Sequence, residues 1–279
     1  MRAFLQALSL LLVTGRGLQA APSLLVQVPP LPTVPVVDGV LEEWGREGWV
    51  EIPLRPAREN DPDNVTGSLN VQLKAGTAGG RIFVAARWPD QEADVSYRPW
   101  KWTGTQYKRG KQRDDMFIVR FDMGGDYAAC MLSKTDYRVD LWQWSAGRSD
   151  QAGVAEDFIH VISTASQENA AEYEHPEGGT VYIRKIRDAG NPVYDNQEAG
   201  KENRGESLPG IRMLDGGSGS LIDVQARGVW KDGFWHLELA RKLDTGHDDD
   251  VKLQGIKTIR GAIAVFNKSY AEHKSVSET

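Results

Sequence analysis

An all-β chain, folded as an antiparallel β-sandwich with long loops and few short helices, is what the sequence predicts, and three observations predict it. Apolar residues recur at every second position in several short runs, the periodicity of half-buried strands. One pair of runs is joined by Asp232-Gly233, which supplies the positive φ angles of a tight hairpin turn. No stretch carries a long helical stripe with caps at both ends.

In chain order, Pro29, Pro30, Pro32 and Pro35 form an extended lead-in, because proline lacks the donor a sheet interior requires. Leu69, Val71 and Leu73 alternate with Asn70, Gln72 and Lys74 as a half-buried strand. Residues 81–88 are apolar on both faces, as a central strand is. The pattern repeats over 116–121. A short helix is expected around 166–173. Ile222, Val224 and Ala226 alternate with Asp223, Gln225 and Arg227, and Trp235, Leu237 and Leu239 carry the return strand of the hairpin. Residues 260–266 form a last apolar strand. The loops at 89–114, 146–180 and 187–219 exceed ordinary connection lengths, which points to a functional or covering role.

The chain has 279 residues, 40% of them hydrophobic, with nine Trp and one Cys. That content supports a substantial core. A net charge of −6 argues against nucleic acid, since phosphate binding needs a basic face, and suits a basic protein partner. Arg2, an apolar run from Phe4 to Val13 and small residues at Ala20 and Ala21 follow the order of a secretory signal. The run is too short to span a bilayer, which takes ~20 apolar residues. The expected organisation is a signal peptide at 1–21, a Pro-rich lead-in at 22–36 and one domain at 37–279, exported and with no membrane span.

Cys130-Met131, then Asp140-Leu141-Trp142-Gln143-Trp144, then His273-Lys274 are the most informative residues for chemistry. A thioether and a nitrogen base are ligand types that close the axial positions of a haem iron. A single Cys excludes a Cys-x-x-Cys-His attachment, so any haem here would be non-covalent, as in b-type cytochromes. Trp100 and Trp102, like Trp142 and Trp144, are spaced two apart, so each pair shares a face if extended. Such pairs can wall a haem slot, stack on a sugar or fill a core, and spacing alone does not distinguish these.

Other residues point less far. His247-Asp248-Asp249-Asp250 has metal-ligand types, but an acidic loop beside a Thr-Gly turn reads as solvated, and no spaced oxygen-ligand loop follows. Asp114-Asp115 reads as the end of a long loop. His160, His175 and His236 are isolated, with His236 facing out of its strand. Asn64-Val65-Thr66 fits a glycosylation pattern that is common by chance. Gly216-Gly217-Ser218-Gly219 reads as a flexible loop.

Several islands together resemble the haem b-binding gamma subunits typified by ethylbenzene dehydrogenase and dimethyl sulfide dehydrogenase. They are Val37-Asp38-Gly39-Val40 with Glu43-Trp44, an opening shared with related carbohydrate-binding modules; Arg87-Trp88-Pro89-Asp90 with Arg98-Pro99-Trp100-Lys101-Trp102; Cys130-Met131 with 139–148; 240–246; and the closing Glu272-His273-Lys274-Ser275-Val276-Ser277. The resemblance implies a carbohydrate-binding-module-like sandwich that holds haem b between a Met and a Lys, here Met131 and Lys274. His273 stands beside Lys274, and neighbours on an extended strand point to opposite faces, so one of the two would face iron. The resemblance further implies a periplasmic electron-transfer subunit, itself no catalyst. Its partners would be a molybdopterin alpha subunit, an iron–sulfur beta subunit and a soluble c-type cytochrome. The alternatives are a carbohydrate-binding module that uses its Trp pairs as a stacking face, and a stand-alone periplasmic haem protein.

Overall fold

The computed structural model describes residues 24–56, 64, 66–175 and 178–268, and the backbone of a last strand at 276–278. Twelve strands form the main body: β1 (Val50–Pro56), β2 (Leu69–Ala78), β3 (Arg81–Pro89), β4 (Met116–Gly125), β5 (Tyr137–Ser145), β6 (Val154–Ser163), β7 (Ala171–Glu174), β8 (Thr180–Arg187), β9 (Val224–Lys231), β10 (Phe234–Lys242), β11 (Gly261–Phe266) and β12 (Val276–Glu278). The expected all-β architecture is therefore observed, and every pairing among these strands is antiparallel.

One layer runs β9–β10–β3–β2–β1 and the other β12–β11–β4–β5–β6–β8–β7. The layers join at both edges. β1 pairs with β12 through Arg55 and Glu278, and the start of β9 pairs with the start of β6 through Val224 and Ala155. The sandwich is thus a flattened, almost closed barrel, which leaves few unpaired edge groups. The β9–β10 hairpin turns at Asp232 (φ 53°) and Gly233 (φ 80°), the two positive φ angles that the sequence predicts there.

Two elements differ from expectation. Residues 166–173 form no helix, and Ala171–Glu174 is instead the edge strand β7. The supposed loop at 146–180 contains β6, a strand lying between β5 and β8. Its sequence, Val-Ala-Glu-Asp-Phe-Ile-His-Val-Ile-Ser, is nearly all buried and places Glu156 and Asp157 inside the protein, so the alternation that marks a half-buried strand is missing.

The inner faces carry alternate residues of each strand, among them Val84, Trp88 and Leu237 from the first layer and Phe117, Trp142 and Trp144 from the second. Trp88 stacks on Phe117 with ring centroids 5.0 Å apart, and Trp144 meets Trp235 edge-on at 5.0 Å. Space for the Trp144 ring depends on Gly228 of β9, where a Cβ would lie 2.2 Å from the indole. The Trp144 indole N–H donates to Asp150 Oδ1 at 2.8 Å, and that same oxygen accepts from the Gly228 amide at 2.7 Å.

At one end of this core lies a buried cation. Arg241 of β10 donates from one guanidinium nitrogen to Asp140 of β5 (2.9 Å), Asp157 of β6 (2.8 Å) and Asp250 (2.9 Å), while its plane covers the Trp142 ring at 4.8 Å. Burial works against the charge, and the three carboxylates overcome it, so the guanidinium is held protonated.

The outer face of the first layer is covered by the N-terminal segment. Glu238 of β10 accepts from the Trp44 indole at 2.6 Å and from the amides of Asp38 and Gly39 at 3.0 and 2.8 Å. Gly39 needs to be glycine twice over, with φ at 80° and with Val229 2.6 Å from where a Cβ would stand.

Replacing Arg241 with Met is expected to cost roughly 3–5 kcal/mol of stability, because it strands carboxylates inside the sandwich. Urea denaturation at neutral pH measures this. A loss below about 1 kcal/mol would show that the carboxylates need no counter-charge.

Candidate functional site

With the first layer covered on its outside, the outer face of the second layer is where the sequence-singled residues must be placed. Strand alternation sends Tyr137, Val139 and Leu141 of β5 outward, opposite Ile162, His160 and Phe158 of β6. Met116 and Ile118 of β4 and Ala264 and Phe266 of β11 extend the same face. Apart from the half-buried Phe158, these side chains are buried although no second sheet of the described residues packs on them, so connecting segments cover the face.

One cover is the β4–β5 connection. Its base is closed by the Asp126 amide donating to Asp136 O at 2.9 Å, and its tip turns where the Ser133 amide donates to Cys130 O at 3.1 Å. The Tyr137 hydroxyl donates to Cys130 O at 3.3 Å, and the Arg120 guanidinium to Ala128 O at 3.4 Å. Leu132 is thereby buried, and Met131 is half-buried against Tyr137, Val139, Ile162 and Ile183. Met131 therefore stands on this outer face, near the Gly125–Tyr137 end of the strands. Tyr194 closes the Glu156 side, its hydroxyl donating to Glu156 Oε2 at 2.5 Å, while Arg187 donates to Oε1 at 2.6 Å.

His273 and Lys274 lie outside the described residues. The chain that carries them leaves β11 at Phe266 and re-enters the sheet at Val276, and these two residues pair. That connection starts from the Met116–Phe266 end of the face, the end opposite to the Met131 loop.

The tryptophans are placed elsewhere. Trp142 and Trp144 are fully buried on the inner face, with Trp142 edge-on to Phe121 at 4.8 Å, and are not brought together with Met131. Trp100 and Trp102 sit half-buried on a small sheet of the loops, Trp100–Trp102 pairing with Tyr107–Arg109 and Ser207–Leu208. The Trp100 indole donates to Gln197 O at 2.7 Å, and Arg109 covers its ring at 5.0 Å. A cavity of 330 Å³ beside this small sheet is lined by Val95, Tyr97, Pro99, Gly147, Leu208 and Gly210, and includes no side chain of the Met131 face.

His160, isolated in the sequence, is brought into the centre of the outer face. It is buried between Val139 and Lys185 across the ladder, and its Nδ1 has no hydrogen-bond partner among the described residues. Burial, then Lys185 and Arg120, push its pKa down to about 3, so it is a neutral imidazole at physiological pH. Its neighbours are Val139 and Phe158, and no local sequence signal points to it, because β6 is buried on both faces. Asp115, read as a loop end, is also internal. It accepts from the Trp235 indole at 3.1 Å and the Asp94 amide at 2.8 Å, and burial, then Asp90, push it up to about 8.

The face thus combines a broad apolar wall, a half-buried thioether at one end and, at its centre, a neutral imidazole whose Nδ1 has no partner among the described residues. Such a surface suits a flat apolar group that takes sulfur or nitrogen donors. The family model described as ethylbenzene dehydrogenase matches residues 42–277. The chain belongs to the ethylbenzene dehydrogenase family. That span takes in both layers, the Met131 loop and the connection carrying His273 and Lys274, and it marks the chain as a subunit of an ethylbenzene-dehydrogenase-like molybdenum oxidoreductase. No curated protein matches the sequence.

The buried imidazole has a consequence for stability. Its folded pKa of about 3 lies below the ordinary 6.5, so the unfolded chain takes up the proton first and stability falls as pH drops from 6.5 towards 3. Replacing His160 with Leu is expected to remove this component. The stability gap between variant and wild type should widen in the variant's favour by up to about 1.4 kcal/mol per pH unit below 6.5. Denaturation at pH 7.5 and 5.5 reads it, and a constant gap would show that His160 is solvated.

Proposed function

We propose that this chain is a b-type cytochrome, the electron-transfer gamma subunit of an exported molybdenum oxidoreductase of the dimethyl sulfoxide reductase superfamily. The observation that carries the reading is the placement of Met131. Within a chain of this family, its loop folds onto an apolar outer face of the second layer. Haem b, when bound, supplies a one-electron iron couple.

The chain's own residues would do the rest. The Met131 sulfur is a soft donor that favours the ferrous state and raises the potential. Lys274 is the second donor, with His273 as its alternative. A lysine can serve only as the neutral amine, so its proton must leave, and burial and metal binding both favour that. Leu141, Ile118 and Phe158 present an apolar wall that excludes water, and Arg120 and Lys185 offer positive charge for propionates on the same face. With Met131 and Lys274, or His273, holding the haem, the subunit would carry electrons and would not itself catalyse.

Electrons would pass between an iron–sulfur beta subunit, itself fed by the molybdopterin alpha subunit, and a soluble c-type cytochrome, for which the net charge of −6 suits a basic partner. Residues 1–21 would act as the leader to the periplasm, ahead of the haem-binding domain at 37–279. Among the described residues no helix is long and apolar enough to cross a membrane. The carbohydrate-binding alternative loses one of its two Trp pairs, because Trp142 and Trp144 are fully buried and offer no face to a sugar.

The exported protein is expected to show a sharp reduced α-band and a b-type pyridine haemochrome. Replacing Met131 with Ala is expected to weaken haem retention by roughly tenfold or more, or to lower the potential. A wild-type protein that is colourless and takes up no added haem overturns the assignment. An unchanged spectrum and potential in the variant removes Met131 as a ligand.

A further inference from the structure

A second cluster of ionisable groups lies on the other side of the second layer, around Arg241. Asp140 and Asp157 point inward from β5 and β6, Asp188 follows the end of β8, Asp223 precedes β9, and Asp249 and Asp250 come from the loop that the sequence reads as solvated. Asp250 is buried, not solvated, and so corrects that expectation. Against these six carboxylates stand Arg241, His247 and, beside Asp223, Arg81. His247 Nδ1 lies 3.5 Å from Asp223 and 3.4 Å from Asp250.

The decisive side chain is Asp188. It is 5% exposed, and neither of its carboxylate oxygens has a hydrogen-bond partner among the described residues. A buried carboxylate with both oxygens unsatisfied is among the costliest states a protein can hold. One of its oxygens lies within 4.8 Å of oxygens of both Asp249 and Asp250. Two ligands of one calcium ion, each at 2.3–2.6 Å, stand at most about 5 Å apart, so the three carboxylates can share a single ion. The neighbouring group Asp140–Asp157–Asp250 is already filled by the Arg241 guanidinium, which donates to all three. Arg241 is thus matched by Asp140 and Asp157, which leaves Asp188 and Asp249 beside Asp250, whose Oδ2 has His247 Nδ1 at 3.4 Å.

We infer that Asp188, Asp249 and Asp250 form a divalent-cation site that takes calcium. The donors are all carboxylate oxygens, which hard cations prefer, and their arrival from two separate chain segments suits calcium's flexible shell better than the strict octahedron of magnesium. The ion would clamp the chain leaving β8 to the connection between β10 and β11. The Ala189 amide already donates to Asp249 Oδ2 at 2.9 Å and starts that clamp. The inference is independent of the haem reading.

The test uses the full-length purified protein. Calcium content after desalting is measured by plasma mass spectrometry, and melting temperature is read with EDTA and with excess calcium, for wild type, Asp188→Asn and Asp249→Asn. Wild type is expected to retain stoichiometric calcium and to lose several degrees in EDTA. Asp188→Asn should bind calcium roughly tenfold more weakly or worse, and in EDTA should melt above wild type because an unpaired buried charge is gone. Wild type without calcium and with an unmoved melting temperature overturns the site. So does a calcium shift that persists undiminished in both variants. Stabilisation by magnesium but not calcium overturns the choice of ion. Should neither variant fold, terbium luminescence excited through tryptophan decides on wild type: Trp142 lies against Arg241, so a calcium-displaceable signal is expected, and its absence overturns the site.

Discussion

A guanidinium with no exposed surface, Arg241, stands between the two layers and binds carboxylates that arrive from β5, β6 and the 247–250 loop. Shape complementarity among apolar side chains leaves two stacked sheets free to slide and rotate by small amounts, whereas a planar donor with three acceptors fixes one relative position. The Trp142 ring beneath the guanidinium adds to the constraint, since it fills the space that a tilted layer would need. A buried ion pair brings little net stability over an apolar substitute, so its contribution here is to the choice of one arrangement.

That arrangement separates two kinds of chemistry by strand alternation. Along β5, Asp140 and Trp142 turn inward to the charged end of the core, while Val139 and Leu141 turn outward to the Met131 face. Along β6, Asp157 turns inward while Phe158 shares the outer face with His160. Each strand therefore has one residue fastening the layers next to one residue building the candidate site. The outer face inherits its rigidity from the inner one, as a site built on supported strands should.

The same alternation explains what was legible in the sequence. Strands with one wet face announce themselves, as Leu69, Val71 and Leu73 do, and the Asp232-Gly233 turn can be read directly because few residue pairs accept those φ angles. β6 was not legible, since both its faces are buried and two of its inward or covered positions are acids whose partners, Arg241 and Arg187, are distant in sequence. The shared face within the Trp142–Trp144 pair was readable from spacing, but which face was not, because both sides of the second layer are apolar. Asp250 looked like a surface acid for a related reason: its burial depends on Arg241 and on the chain after β8, and neither relation leaves a mark in the local sequence.

The Met131 loop depends on the same logic carried one layer outward. A hairpin connection of this length would ordinarily project into solvent, yet here Tyr137 and Arg120 each hold one of its carbonyls and Leu132 is driven into the face. Those anchors fix the backbone beside Met131 while its own side chain stays half-buried against the face. A thioether held in that way is preorganised at its base and adaptable at its tip, which is what a soft axial donor needs if it is to meet iron without dragging the sheet. Purely structural methionines are normally packed on all sides, as Met116 is on the same face. The difference between these two methionines, one enclosed and one held at the rim by a braced loop, is the physical reason to look for chemistry at Met131.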